Sequence, residues 1–178
     1  MEITTRGLWS LIHGIGFGAL YLMAVCGLFV MLYRQFASTK PDSDKSDSSL
    51  SLRIYLLAMA ASAWLSVLSG TYIVYPWYRA SAPTGAANLA AFPRALLLSS
   101  PATRNWHLLG MEWKEHIAWL APIAITMAAV IALQYGSQLR RHPRIRIAMG
   151  GFALGSLLAV GIAGFYGIML DKKAPLDG

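Results

Sequence analysis

The chain has 178 residues, 56% of them hydrophobic and only 13% charged, with a formal net charge of +7. That composition and a mean hydropathy of +0.50 exclude an ordinary soluble domain and point to a bilayer. The basic residues fall between apolar runs and not along one face, which selects lipid headgroups over nucleic acid, and the single cysteine, Cys26, excludes an internal disulfide and any multi-cysteine metal site.

The first apolar run covers about 8–33. It is longer than the hydrophobic stretch of a cleaved signal and matches a helix that spans the roughly 30 Å hydrocarbon core, so it reads as a membrane span. Counting about 100° per residue from His13 brings Gly16, Ala24 and Gly27 into one stripe, interrupted by Leu20, with Gly14 and Gly18 thinning the helix on another side. Such small patches serve either helix contact or the seating of a flat, bulky ligand over Gly16. The polar stretch 34–53, rich in Ser and Asp, follows as a solvated loop.

A second spanning helix is expected over 54–77, with Ala58, Ser62, Ser66 and Ser69 or Gly70 on a face whose hydroxyls bond across an interface or back to their own turn. The connection 78–114 opens on the aromatic belt of Tyr72, Tyr75, Trp77 and Tyr78 and continues into "NLAAFPRALLLSS", an apolar segment that should lie in the interface and cap the outer end of the bundle. A third span follows at 115–135 and carries Pro122, which should kink it. The short loop "GSQLRRHPRIR" precedes the fourth span, 147–170, where Gly151, Gly155, Ala159, Ala163 and Gly167 recur at every fourth position as a packing face. The fold class is therefore all-α: a single integral-membrane four-helix bundle over 1–178.

Lysine and arginine are nearly balanced between the two sides, but Arg140, Arg141, Arg144 and Arg146 crowd the short third loop. The positive-inside rule then places that loop in the cytoplasm and both termini outward, in a bacterial cytoplasmic membrane. His142, within that loop, reads as solvated.

An ionisable residue inside a membrane helix is a site candidate by default. His13 lies inside the outer end of the first helix, and His116, in "GMEWKEHIAWLAP", lies within a turn of the outer end of the third, so the two match in depth. Facing neutral imidazoles bind a haem iron axially. Glu112, one turn before His116, is placed to accept its other ring proton, and Lys114, Arg94 and Arg104 are placed to meet haem propionates at the outer surface. His107 cannot share a metal with His116 along one straight helix, but would swing over the site if "NWHLLGMEW" were a loop closed by Gly110.

His13, Gly16, His116 and the four-span architecture resemble the four-helix membrane b-type cytochromes that serve as haem-bearing subunits of bacterial respiratory complexes. The resemblance implies haem b, electron transfer with a quinone pool or an outer-facing redox protein, and other membrane subunits as partners. No histidine lies deep toward the inner end, which argues against the second haem common in those families. Two other readings stay open: a cofactor-free assembly subunit, and a membrane zinc, iron or copper site on Glu112, Glu115 and His116. No phosphate-binding loop or Ser/His/Asp set is present, and an accessory or electron-transfer subunit is expected over a stand-alone enzyme.

Overall fold

The computed structural model describes residues 4–37 and 45–174. Among them there is no β-strand, and four helices are long and apolar enough to cross a membrane: α1 (Thr5–Arg34), α2 (Ser49–Tyr78), α4 (Pro101–Tyr135) and α5 (Pro143–Lys173), with a short α3 (Pro93–Leu98) between the second and third. They alternate in direction, so α1 and α4 run one way and α2 and α5 the other. Their outward surfaces carry Leu8, Leu20, Met23, Val30, Ile54, Leu154 and Leu158, all exposed, as lipid-facing helices require.

Every span is longer than its apolar run. The largest difference is in α4, which begins at Pro101 and not near residue 115. Ser100 caps it by accepting from the Ala102 backbone N–H, Pro101 occupies the first turn, and the helix runs unbroken to Glu115. A hydropathy window misses the turns before 115, where Arg104, Asn105 and Glu112 face outward. Their inner face buries Gly110 and Met111. Likewise helix continues from α1 to Ala37 and resumes at Lys45, so the expected polar loop is shortened from both sides, and its middle, 38–44, lies outside the described residues.

Three helices depart from α geometry. In α1 the stretch Ile12–Ala19, with glycines at 14, 16 and 18, is wound as a π-helix, and in α2 the stretch Gly70–Val74 is too. A wider turn advances each residue by less than 100°, so the stripe counted from His13 does not survive below it. The buried line of α1 is Tyr21, Val25 and Leu28. In α4 the helix breaks at His116 and passes through a single 3-10 turn, Ile117–Trp119, before resuming at Leu120. Pro122 explains this, because it has no N–H for the carbonyl one turn back and its ring crowds that carbonyl.

The interior is packed at one end and capped at the other. Toward the end that carries the turn between α4 and α5, Tyr21, Val25, Leu28, Leu56, Met59, Ile125, Ala129, Met149 and Ala153 form the core. At the opposite end Leu97 of α3, fully buried, closes over Tyr78, Met111, Leu170 and Ala174. The segment expected to cap the bundle does so, with Leu97 turned inward against the helix ends. Polar bonds tie the helices crosswise: Tyr55 Oη donates to the Ala24 carbonyl (2.8 Å), Trp64 Nε1 to Thr126 Oγ1 (3.1 Å), Trp113 Nε1 to the Ala159 carbonyl (3.1 Å) and Arg53 Nε to the Ala132 carbonyl (3.2 Å).

The fourth helix packs differently from the stripe its sequence suggested. Its buried line is Met149, Ala153, Ser156, Ala159, Ala163 and Leu170, while Gly151 and Gly155 face outward with no atom within 4 Å of where a side chain would begin. A repeat at every fourth residue drifts around a helix of 3.6 residues per turn, so only part of the stripe meets a neighbour.

Candidate functional site

Between the packed core and the cap lies a cavity of about 980 Å³. All four spanning helices line it: α1 through His13, Gly14 and Gly18, α2 through Ser66, Gly70, Tyr75 and Tyr78, α4 through Lys114, Glu115 and His116, and α5 through Gly161, Gly164 and Gly167. Glycine is frequent on this wall for a simple reason. A methyl on Gly14, Gly161 or Gly164 would meet nothing within 4 Å, so these positions leave space where other residues would fill it.

His13 is held from the second helix. Its Nδ1 lies 2.9 Å from the Ser66 carbonyl oxygen and 3.3 Å from Ser69 Oγ, and Ser69 Oγ itself donates to the Ser66 carbonyl at 3.1 Å. A carbonyl only accepts, so Nδ1 carries the proton and Nε2 presents its lone pair. Gly70 makes the approach possible, because a Cβ there would stand 2.6 Å from His13 Cε1. The polar face read in the second helix is thus a histidine holder, a role with no signature within the sequence of that helix.

His116 sits at the break in α4 and is exposed. Its Nδ1 lies 3.2 Å from the Glu112 carbonyl oxygen and 3.4 Å from Glu112 Oε2, so both oxygens of that residue converge on the ring proton, as the one-turn spacing predicts. In this ring too, Nε2 is left with its lone pair. Both histidines line the same cavity.

The remaining expected site residues divide. Lys114 lines the cavity, whereas Arg94, Arg104, Glu112 and Gly16 are not among its lining residues. Gly16 is displaced from the wall by the π-helical winding, which turns Gly14 and Gly18 toward it. Arg104 is carried away by the helical course of 101–115, which leaves it exposed, and Arg79 at the end of α2 lines the cavity instead, its guanidinium 5.3 Å from the Tyr75 ring centroid. His107 does not swing over the site, because α4 is helical through Gly110. Its Nδ1 instead bonds the Tyr78 hydroxyl at 2.6 Å, and the two rings stack with centroids 5.9 Å apart.

Glu115 is engaged by the Tyr75 hydroxyl. Among the described residues no group of three or more His, Cys, Asp or Glu side chains is arranged to hold a metal ion. Ser10 Oγ, on the cavity wall, is buried and without a hydrogen-bond partner among the described residues. His142, at the far end, is exposed beside the Tyr135 ring.

The arrangement can take a large, mostly apolar ligand and offer it two imidazole nitrogens, the cations Lys114 and Arg79, the carboxylates Glu115 and Asp171 and a few hydroxyls at one end of the bundle. Comparison with protein-family models, with curated proteins and with solved structures finds no match to this chain.

Proposed function

We infer that this chain is a membrane subunit that holds a haem b in the four-helix cavity, with His13 and His116 as its axial ligands, and takes part in respiratory electron transfer. One observation carries the reading. Both imidazoles line a single cavity, and in both the Nδ1 proton is taken by a carbonyl oxygen, Ser66 for His13 and Glu112 for His116, leaving Nε2 as the metal-binding atom. Metal-bound histidines characteristically have their second nitrogen engaged in this way, which fixes the tautomer and the ring plane. The haem supplies the one-electron chemistry when bound; the chain supplies ligands, orientation and a mostly apolar wall. On this reading the cavity end faces outward and the arginine-rich loop faces the cytoplasm, with a quinone or an outer-facing redox protein as the exchange partner.

The test is a reduced-minus-oxidised visible spectrum of the purified protein in detergent, with His13→Ala and His116→Ala alongside. Sharp b-type bands in the parent and their loss in both variants are expected. A featureless spectrum from folded parent protein would refute the reading.

A second reading, a cofactor-free subunit that docks on larger membrane partners, is favoured by the outward glycines of α5. Gly150, Gly151 and Gly155 meet nothing within 4 Å and would let another helix approach closely.

A further inference from the structure

The four spanning helices meet along four seams, and three of these are bridged beside the cavity. Between α1 and α2, His13 lies against Gly70 with its Nδ1 on the Ser66 carbonyl. Between α2 and α4, Trp64 bonds Thr126 and the Tyr75 hydroxyl bonds Glu115. Between α4 and α5, Trp113 bonds the Ala159 carbonyl, and Gly110 packs against Tyr166, whose Cδ1 would stand 3.2 Å from a methyl there. The seam between α1 and α5 differs. The Tyr21 and Ser156 hydroxyls close its inner end, and outward of that pair its two lips stand apart. Gly14 on one lip and Gly161 and Gly164 on the other all line the cavity, and a methyl on any of them would meet nothing within 4 Å.

The lipid-facing stripes of both helices run into this gap. On α5, Leu154, Leu158, Phe165 and Ile168 share one exposed face by their spacing, and the last two are also wall residues. On α1 the exposed side continues from Leu8 to Ile15, which joins the wall. Ile15 and Ile168 are 63% and 68% exposed. The cavity therefore reaches the bilayer surface between these two helices. Its outward side is roofed, because Leu97 of α3 is buried against Tyr78, Met111, Leu170 and Ala174, which are themselves wall residues. Glu115 and His116 are exposed on the wall as well, but that stretch is polar and is crossed by the bond from Tyr75. The apolar opening is the one between α1 and α5.

We propose that the seam between α1 and α5 is a lateral portal: a lipid acyl chain lies in it at rest, and the cavity takes its ligand from the hydrocarbon phase by displacing that chain. An apolar gap open to the bilayer fills with hydrocarbon, since empty space forfeits dispersion contacts and the glycine lips offer water no side-chain partners. The ligand is then a molecule that partitions into hydrocarbon, seated with its apolar edge toward Ile15 and Ile168. The portal is independent of the haem reading and constrains any ligand of the cavity alike.

The experiment attaches a nitroxide at Gly164→Cys in full-length protein carrying Cys26→Ser, reconstituted in phosphatidylcholine nanodiscs. Power saturation reads its collisions with molecular oxygen, which dissolves in hydrocarbon, and with a water-soluble nickel chelate. Oxygen access should equal that of a label at the lipid-facing Leu158→Cys, with nickel access absent at both. Gly14→Phe, which fills the gap from the opposite lip, should abolish oxygen access at 164 and leave it intact at 158; Ile15→Trp serves if the phenylalanine variant does not fold. Low collision with both reagents at 164 would mean a closed seam, and nickel access there a cavity open to water. Oxygen access undiminished in the folded sealing variant would mean another route. Each of these three outcomes would overturn the portal. None of them involves haem, so the visible spectrum tests that reading separately.

Discussion

Gly70 shows how much one missing side chain can decide. His13 reaches the Ser66 carbonyl only because its ring lies where the Gly70 side chain would be, with Cε1 at 2.6 Å and Nε2 at 3.1 Å from a Cβ built there. Gly70→Ala must therefore push the imidazole away from its anchoring carbonyl or shift α2 against α1. The expected cost is about 1–3 kcal/mol, the range for overpacking a filled site, together with loss of the haem bands. Thermal unfolding and the visible spectrum measure both, and Gly150→Ala, which meets nothing within 4 Å, is the matched control with neither effect. Unchanged spectra in Gly70→Ala would contradict the holder role. His13, Ser66 and Gly70 all stood out in the sequence, but separately. What joins them is the docking of the π-helical stretch of α1 against α2, and no residue in either helix names its partner.

At the scale of the element, α5 separates two uses of small residues. Ala159 is buried at 4% exposure, and its carbonyl takes the Trp113 indole N–H. Gly155 faces outward into open space. Ala159→Leu should destabilise the bundle by about 1–3 kcal/mol as an overpacked core site, whereas Gly155→Leu should leave the isolated protein's unfolding transition unchanged. Detergent unfolding of the two variants decides this. If Gly155→Leu nevertheless abolished co-purification of membrane partners, the docking reading of that face would gain. The existence of α5 was plain from its apolar run, since a spanning length of such residues has few other fates. Which of its faces turns inward was not, because small residues lie on both.

For the molecule as a whole, one buried network binds three helices at the base of the cavity. Ser156 Oγ, fully buried, donates to the Ala121 carbonyl of α4 at 2.8 Å and accepts from the Tyr21 hydroxyl of α1. Since Ser156 has one proton and gives it to a carbonyl, the Tyr21 proton must point to Ser156. Ser156→Ala leaves that hydroxyl buried without its acceptor, and Tyr21→Phe on the same background removes the orphan. A double-mutant cycle read by denaturant unfolding should give a coupling of about 0.6–1.7 kcal/mol, the range found between membrane helices. A coupling of zero would mean that the two residues do not act as a pair in the bilayer fold.

The sequence by itself determined the all-α class and the four spans, because a bilayer leaves a long apolar segment little choice but a helix that satisfies its own backbone. It also determined the interruption ahead of Pro122 and the pairing of Glu112 with His116, both consequences of chemistry within one helical turn. The early start of α4, the turn of Gly14 and Gly18 in place of Gly16 toward the cavity, the diversion of His107 to Tyr78 and the choice of Lys114 over Arg94 and Arg104 were decided only in the tertiary structure. Each depends on how a helix is wound or rotated against its neighbours. That rotation is fixed by contacts between segments far apart in the chain, and periodicity along a single segment carries no record of it.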